Sequence, residues 1–334
     1  MARDILKSIK TCEVIFSNGQ DVLVGGKPLW LFRANGEFVK KVLPIRRPYK
    51  VAFLPNRTAL VDGVADHAYY YLNLEAGEIL WVVKKTQRRS GETPRFVVSP
   101  DGSMVYNLFY SYRNGRRVLH AERMIPEKRI HDIFAVEEPL GLASGGLCMT
   151  RDLFCDSEGT LCAFQAMNIT RYEDYDYMET PNAIFHYGIL ALPFQNDVLR
   201  PYWKRHWETE RTGKWNNIRA CDERYVLFED LSVLDMETQE TFFLLSESDR
   251  ESLAPCSFQY FYDSERFLLT LWRLDDKQSA VIDCKNRKLI GQYFGEPGLE
   301  SPGGGGWVIG NEFWLGTSKG VARYPFPNVN TQQP

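Results

Sequence analysis

Phe96-Val97-Val98-Ser99-Pro100-Asp101-Gly102-Ser103-Met104-Val105-Tyr106 decides how the rest of the chain is read. Two short apolar runs flank a Ser-Pro-Asp-Gly turn. Proline presets φ at one corner, and glycine accepts a positive φ at the next without steric cost. The stretch predicts two strands closed by a tight turn. Moving outward, the same grammar recurs. Runs of four to eight residues rich in Val, Ile, Leu, Phe and Tyr alternate with Asn-Gly, Asp-Gly, Ala-Gly and Pro-Asn turns. Helical periodicity is nearly absent, so the chain reads as all-β.

The runs group in fours. One unit predicts strands at Lys50 to Leu54, Ala59 to Val64, Ala68 to Leu74 and Glu78 to Val83. The next predicts Arg95 to Ser99, Met104 to Tyr110, Arg117 to Met124 and Arg129 to Val136. A third clear unit predicts Ser257 to Tyr262, Arg266 to Arg273, Ser279 to Cys284 and Lys288 to Phe294. Unit starts fall near Lys10, Pro48, Pro94, Leu140, Lys214, Ala254 and Gly304, with spacings of 38, 46, 46, 74, 40 and 50. The long spacing assigns an insertion to the fourth unit. The last unit, Trp307 to Tyr324, has room for three strands, while Ile5-Leu6-Lys7-Ser8-Ile9 stands unassigned before the first. An N-terminal strand that completes the last unit resolves both oddities and leaves no large open edge.

A four-strand unit repeated every ~40–50 residues is the signature of a β-propeller. The expectation is a single all-β domain, 1–334, a seven-bladed propeller of four-stranded blades. Its blades span 10–43, 48–83, 94–136, 140–207 with the insertion, 214–245, 254–294, and 304–326 joined by 2–9. On these units and on the Ser99-Pro100-Asp101-Gly102 turn, the chain resembles the WD-repeat-like and quinoprotein-like propellers. The Gly-His and Trp-Asp dipeptides of true WD repeats are absent, so the resemblance is one of architecture.

Composition bounds the setting. The 334 residues are 44% hydrophobic and 13% aromatic, enough for a sizeable core. No stretch approaches the ~18 consecutive apolar residues of a membrane helix. The first ten residues lack the apolar centre of a signal peptide, so the expectation is a soluble, cytoplasmic protein. Seven scattered cysteines, an odd number, form no disulfide framework. The net charge of −3 hides an asymmetry. Through His131 there are 22 Lys and Arg against 12 Asp and Glu; beyond it there are 18 against 31. Such a bipolar distribution orients a charged partner. The acidic balance and pI near 6.0 speak against nucleic acid.

The resemblance also sorts the loops. Turns between strands one and two, or three and four, share one face; turns between two and three, and between blades, share the other. The first face would carry mostly tight turns. The second would carry 44–48, 84–94, 111–116, 169–181, 208–214, 246–255 and 295–306. Long connections on a rigid scaffold are where binding residues concentrate. That face would hold Arg46, Arg47, Lys84, Lys85, Arg88, Arg89, Arg113 and Arg116, with Arg95 and Arg117 beside them. The fourth-unit insertion adds Tyr172, Tyr175 and Tyr177 among four carboxylates. Tyrosines offer rigid contact area at interfaces. The expected function is therefore a non-enzymatic scaffold that binds a protein or peptide, with no cofactor and no metal. The Tyr172–Glu179 carboxylates fit no calcium-loop spacing. Trp307-Val308-Ile309, reading as a strand, follows the Gly303 to Gly306 run, which therefore opens no phosphate-binding helix. The alternative is a lactonase-, lyase- or glycan-active-like enzyme with a pocket at the channel mouth, for which Asp62, His67, Arg113 and His186 are nominees.

Overall fold

A computed structural model describes the chain except for residues 1–3, 6–8, 10–11, 13, 86–90, 93–95, 114–115, 126–127, 138–148, 169–182, 196–197, 200–201, 212–217, 222, 229, 254–257, 264–266, 274–277, 295–305, 318–319 and 327–334. The described residues form six four-stranded antiparallel sheets, one five-stranded sheet and a two-stranded ribbon. They divide into two compact units. One comprises 1–85 with 243–334; the other comprises 86–242.

In the first unit, the first sheet is Val14–Ser17, Asp21–Gly25, Leu29–Arg33 and Phe38–Val42. The second is Pro48–Leu54, Thr58–Gly63, Ala68–Asn73 and Glu78–Lys84. The sequence-predicted strands of that unit lie within two residues of these bounds. The sixth sheet is Phe258–Asp263, Leu268–Arg273, Gln278–Asp283 and Lys288–Phe294. The last sheet orders Gly306–Ile309, Glu312–Thr317, Gly320–Pro325 and then Asp4–Ile5. Asp4 pairs Arg323 and Ile5 pairs Ala322, so an N-terminal strand does complete the last sheet.

The second unit holds the third, fourth and fifth sheets. In the third, Val97 pairs Tyr106 and Val98 pairs Val105, the hairpin read from 96–106. Gly102 takes φ 69° and donates its N–H to Ser99 O at 2.8 Å. Asp101 Oδ1 accepts from Ser99 Oγ, Ser103 Oγ and Ser103 N. These donors, led by the Ser99 hydroxyl, lower its carboxyl to about 2. Strands Val105–Arg113 and Arg116–Ile125 run longer than expected, so 111–116 is mostly strand and not a long connection. Likewise Tyr202–Arg211 absorbs most of 208–214. The fourth sheet's size has two sources. Residues 169–182 separate its second and third strands, and a ribbon, Phe194–Gln195 with Val198–Leu199, separates its third and fourth. That ribbon lies on the end expected to hold mostly tight turns. The 246–255 connection carries a helix, Glu247–Leu253, whose start is capped by Ser246 Oγ accepting from Asp249 N.

Two local devices recur. At the turn between third and fourth strands stand Asn73-Leu74, Asp235-Met236 and Asp283-Cys284. Each Asx side chain accepts turn N–H groups. Each following residue donates its N–H back across the sheet, to Arg57 O, Arg224 O and Phe267 O, all at 2.8 Å. Four residues after each Asx a positive φ closes the turn, at Gly77, Gln239 and Arg287. The second device is a one-residue bulge in outer strands, at Val39, Leu80, Lys204 and Ile290. Bulges twist an edge away from pairing with another chain.

Cores lie between neighbouring sheets of the first unit. Leu23, Leu31, Leu60, Val61, Leu72 and Leu74 are buried, and Leu23, Leu31, Val61 and Leu72 belong to one cluster spanning the first two sheets. Trp314, wholly buried, packs edge-on to Phe32. The tryptophan reads as core, as expected of large aromatics there.

Candidate functional site

Antiparallel meanders put every second turn at the same end of a sheet. At one end of the first two sheets, charge is buried and paired. The Asp21 carboxylate, fully buried, accepts from Arg33 Nη1 at 2.5 Å and Arg57 Nη2 at 2.7 Å. Arg33 also donates to Leu74 O and Glu75 O. The bond to Asp21 raises the Arg57 guanidinium further above its already high value. The sequence reading missed this network, since Asp21 and Arg57 are far apart in the chain and belong to different sheets.

The opposite end holds the connection 43–47 between the first two sheets. Four hydrogen bonds pin its backbone and surroundings. Leu29 N donates to Ile45 O, Arg47 N to Gly26 O, Val64 N to Arg47 O, and Arg46 N to Asp66 Oδ2. Ile45 is the buried anchor. Pro48 presses so close to Gly25 that a Cβ there would lie 2.5 Å from its ring, so this approach requires glycine. Asp66 also bonds the Tyr70 phenol. Burial, then the Asp66 charge, pushes that phenol up to about 12.

On this pinned backbone Arg46 and Arg47 stand exposed. So do apolar groups: Leu43 is 67% exposed, Tyr49 45% and Val64 43%. Tyr49 owes its position to a bulge, because Pro48 pairs Gly63 and Lys50 pairs Asp62 with Tyr49 left over. A bulge re-aims the side chain it displaces.

Lys84 is exposed at the end of its strand, whereas Lys85 turns inward. Its ammonium bridges the fully buried Asp62 and lies 4.9 Å from the Tyr69 ring centre. Its N–H also donates to His67 O at 2.7 Å. Lys85 therefore fixes the root of the connection that leads to Arg88 and Arg89, which lie outside the described residues, as do Arg95, Tyr172, Tyr175 and Tyr177. Arg113 and Arg116 are paired positions that close a hairpin in the second unit. Of the enzyme nominees, Asp62 is engaged with Lys85, His67 is exposed at φ 48°, and His186 is a strand position opposite Glu208. Among the described residues, no three His, Cys, Asp or Glu side chains gather closely enough to hold a metal ion. Cys155, Cys162 and Cys284 carry no disulfide, and burial pushes each thiol up to about 12. Among the described residues no helix is long and apolar enough to cross a membrane.

No protein-family model matches the sequence, and no curated protein matches it. Solved structures do. The β-propeller domain of Cps50 (Swd1) from Myceliophteria thermophila is 9% identical, with a TM-score of 0.57, over 97% of this chain and 99% of that one. Kuenenia stuttgartiensis hydrazine synthase is 9% identical, with a TM-score of 0.58, over 98% and 97%. Virginiamycin B lyase from Staphylococcus aureus, solved with quinupristin, is 11% identical, with a TM-score of 0.55, over 96% of each. The sheets and these likenesses together define the class: the fold is a β-propeller. Proteins of such different kinds share it that the likeness carries the fold alone.

Proposed function

We propose that this propeller is a binding scaffold that holds a protein or peptide at the ends of its sheets where the inter-sheet connections emerge. The supporting observation is the connection 43–47, whose exposed Arg46 and Arg47 stand on a backbone pinned by four hydrogen bonds. A surface fixed before binding loses little entropy on binding. Lys84, Arg88, Arg89, Arg113 and Arg116 are proposed as further cationic contacts, and Tyr172, Tyr175 and Tyr177 as aromatic ones. The seven larger sheets act as seven blades of one domain, and the protein works in the cytoplasm without a cofactor.

The test is a quantitative pull-down from lysate with the wild type and the double charge reversal R88E/R89E. The reading expects the variant to fold with unchanged circular dichroism and to lose its specific partners. Partners retained in full by the variant, or an enzymatic turnover abolished by Asp62→Asn at unchanged stability, would count against it.

A further inference from the structure

The turn between third and fourth strands is built alike in the second, fifth and sixth sheets, and one of the three departs in its chemistry. Counting from the Asx, the second residue on is Glu75, Glu237 and Lys285, and the fifth is Glu78, Glu240 and Lys288. The residue whose carbonyl receives the turn's N–H is Arg57, Arg224 and Phe267. In the fifth sheet these positions touch, with Arg224 Nη1 3.2 Å from Glu237 Oε2. In the second, the Glu75 charge helps raise the Arg57 guanidinium. The sixth sheet replaces both halves of the pair, Arg by Phe and Glu by Lys. Phe267 has φ 55° and is 50% exposed. Bulky side chains rarely take that left-handed backbone. Arg57 takes it at φ 53°, and holds Asp21 in return. Among the described residues, no ring packs on Phe267, and exposed Lys285 and Lys288 form no ion pair. The turn that carries them is pinned. Asp283 accepts from Asn286 N at 2.9 Å and Asn286 Nδ2 at 2.7 Å, and Cys284 N reaches Phe267 O at 2.8 Å.

We infer that this tip of the sixth sheet is a docking site for an acidic segment of a partner protein. The segment lays an apolar side chain on the Phe267 ring, and its carboxylates meet Lys285 and Lys288. Charge decides the occupant. In the fifth sheet the turn glutamate neutralises its own arginine. In the sixth, no carboxylate among the described residues pairs with either lysine, so the matching charge comes from outside. The ring sets the second requirement. Exposed aromatic side chains serve as interface anchors. An anchor held in a backbone conformation that costs stability points to a role other than folding. Two other anionic partners fit less well. A membrane surface is held by clusters of about 4–8 cations, more than this turn offers. Single-stranded nucleic acid needs successive aromatic platforms along a basic groove, and the pI near 6.0 opposes it.

The site goes beyond the scaffold reading, because a turn between third and fourth strands lies at the end of its sheet opposite the inter-sheet connections. The R88E/R89E pull-down therefore neither supports nor removes it. The experiment is selection from a displayed random-peptide library on the immobilised full chain, followed by fluorescence anisotropy with the labelled selected peptide. Enriched peptides should carry Asp or Glu around a single Leu, Phe, Tyr or Trp. K285E/K288E should weaken the selected peptide about tenfold or more. Raising salt should weaken binding to the wild type and have little effect on K285E/K288E. Phe267→Gly should weaken the peptide severalfold. Glycine accepts a positive φ, so this variant should keep or raise the wild-type thermal midpoint. Binding lost at undiminished stability marks an anchor; a lowered midpoint in Phe267→Gly would give the ring a structural role and overturn the inference. Neutral or basic enriched peptides, no enrichment at all, or binding indifferent to either variant would also overturn it. So would equally tight binding of phosphatidylserine-containing vesicles, or equal competition by a short single-stranded DNA, by showing a general anion surface.

Discussion

The two ends of the first two sheets solve opposite problems with the same residue types. At one end Arg33 and Arg57 converge on a fully buried Asp21, and Arg33 also reaches the Leu74 and Glu75 carbonyls. At the other end Arg46 and Arg47 point to solvent beside exposed Leu43, Tyr49 and Val64. An arginine is structural where a buried carboxylate has been placed to meet it, as Asp21 meets Arg33 and Arg57. The comparison teaches that charge counts along the sequence cannot assign roles to cations. The partner decides, and the partner comes from another strand or another sheet.

The comparison can be broken in graded steps. The largest effect should come from Asp21→Ala. Removing the shared carboxylate strands two guanidiniums and should cost about 3–5 kcal/mol, read as a shift of the urea midpoint at unchanged slope. Lys85→Met should follow at about 3 kcal/mol, because it takes the bridging ammonium from buried Asp62. The same variant should also raise amide exchange in residues that follow it. Arg46→Glu should stay within about 0.5 kcal/mol of wild-type stability while reducing partner binding. Equal destabilisation by Arg46→Glu and Asp21→Ala would erase the distinction between the two ends. The smallest effect belongs to Asp101. Its carboxyl is held at about 2 by the Ser99 and Ser103 donors, below the usual value of 3.8. Because the folded state binds that proton less readily, its stabilising contribution is complete above the unfolded value and is lost as pH falls toward 2. Carboxyl chemical shifts should titrate accordingly in the wild type. In Ser99→Ala the midpoint should move back up.

Much of the fold was legible because β structure writes itself locally. Alternating apolar runs and Gly, Pro and Asx turns located the strands of the second and sixth sheets closely; in the third they missed Gly91–Glu92, which pairs Tyr110 and Phe109 within the stretch read as a long connection. The pairing of Asp4–Ile5 with the last sheet followed from counting strands, not from any property of those two residues. Other features were less visible for stated reasons. Strands 105–113 and 116–125 run past the expected turn because Ser, Tyr and Arg there look like loop. The 194–199 ribbon is too short to have a period. The helix 247–253 left only its Ser246 cap and Asp249 as a signature. A recurring Asx followed by Leu, Met or Cys, at 73–74, 235–236 and 283–284, was readable and would have aligned three units independently of their spacing.

The candidate site was legible in part. Arg46, Arg47 and Lys84 were nominated and are exposed. Lys85 is one residue further on, and its side chain turns inward on the other side of the strand end and finds Asp62. Leu43, Tyr49 and Val64 drew no attention in the sequence, because apolar residues near strand ends are assigned to the core by default. The folded chain leaves all three exposed, Tyr49 through the bulge in its strand.

The pairing of Asp4 with Arg323 has a kinetic side. The last sheet stays three-stranded until Asp4–Ile5 meets Gly320–Pro325, a pairing of very large sequence separation whose loop-closure entropy is hard to recover early. During synthesis Asp4–Ile5 must wait, unpaired, for that partner. A circular permutant that joins the termini and opens the chain within another connection would hand that waiting role to a different strand, and the order in which sheets gain protection would move with it.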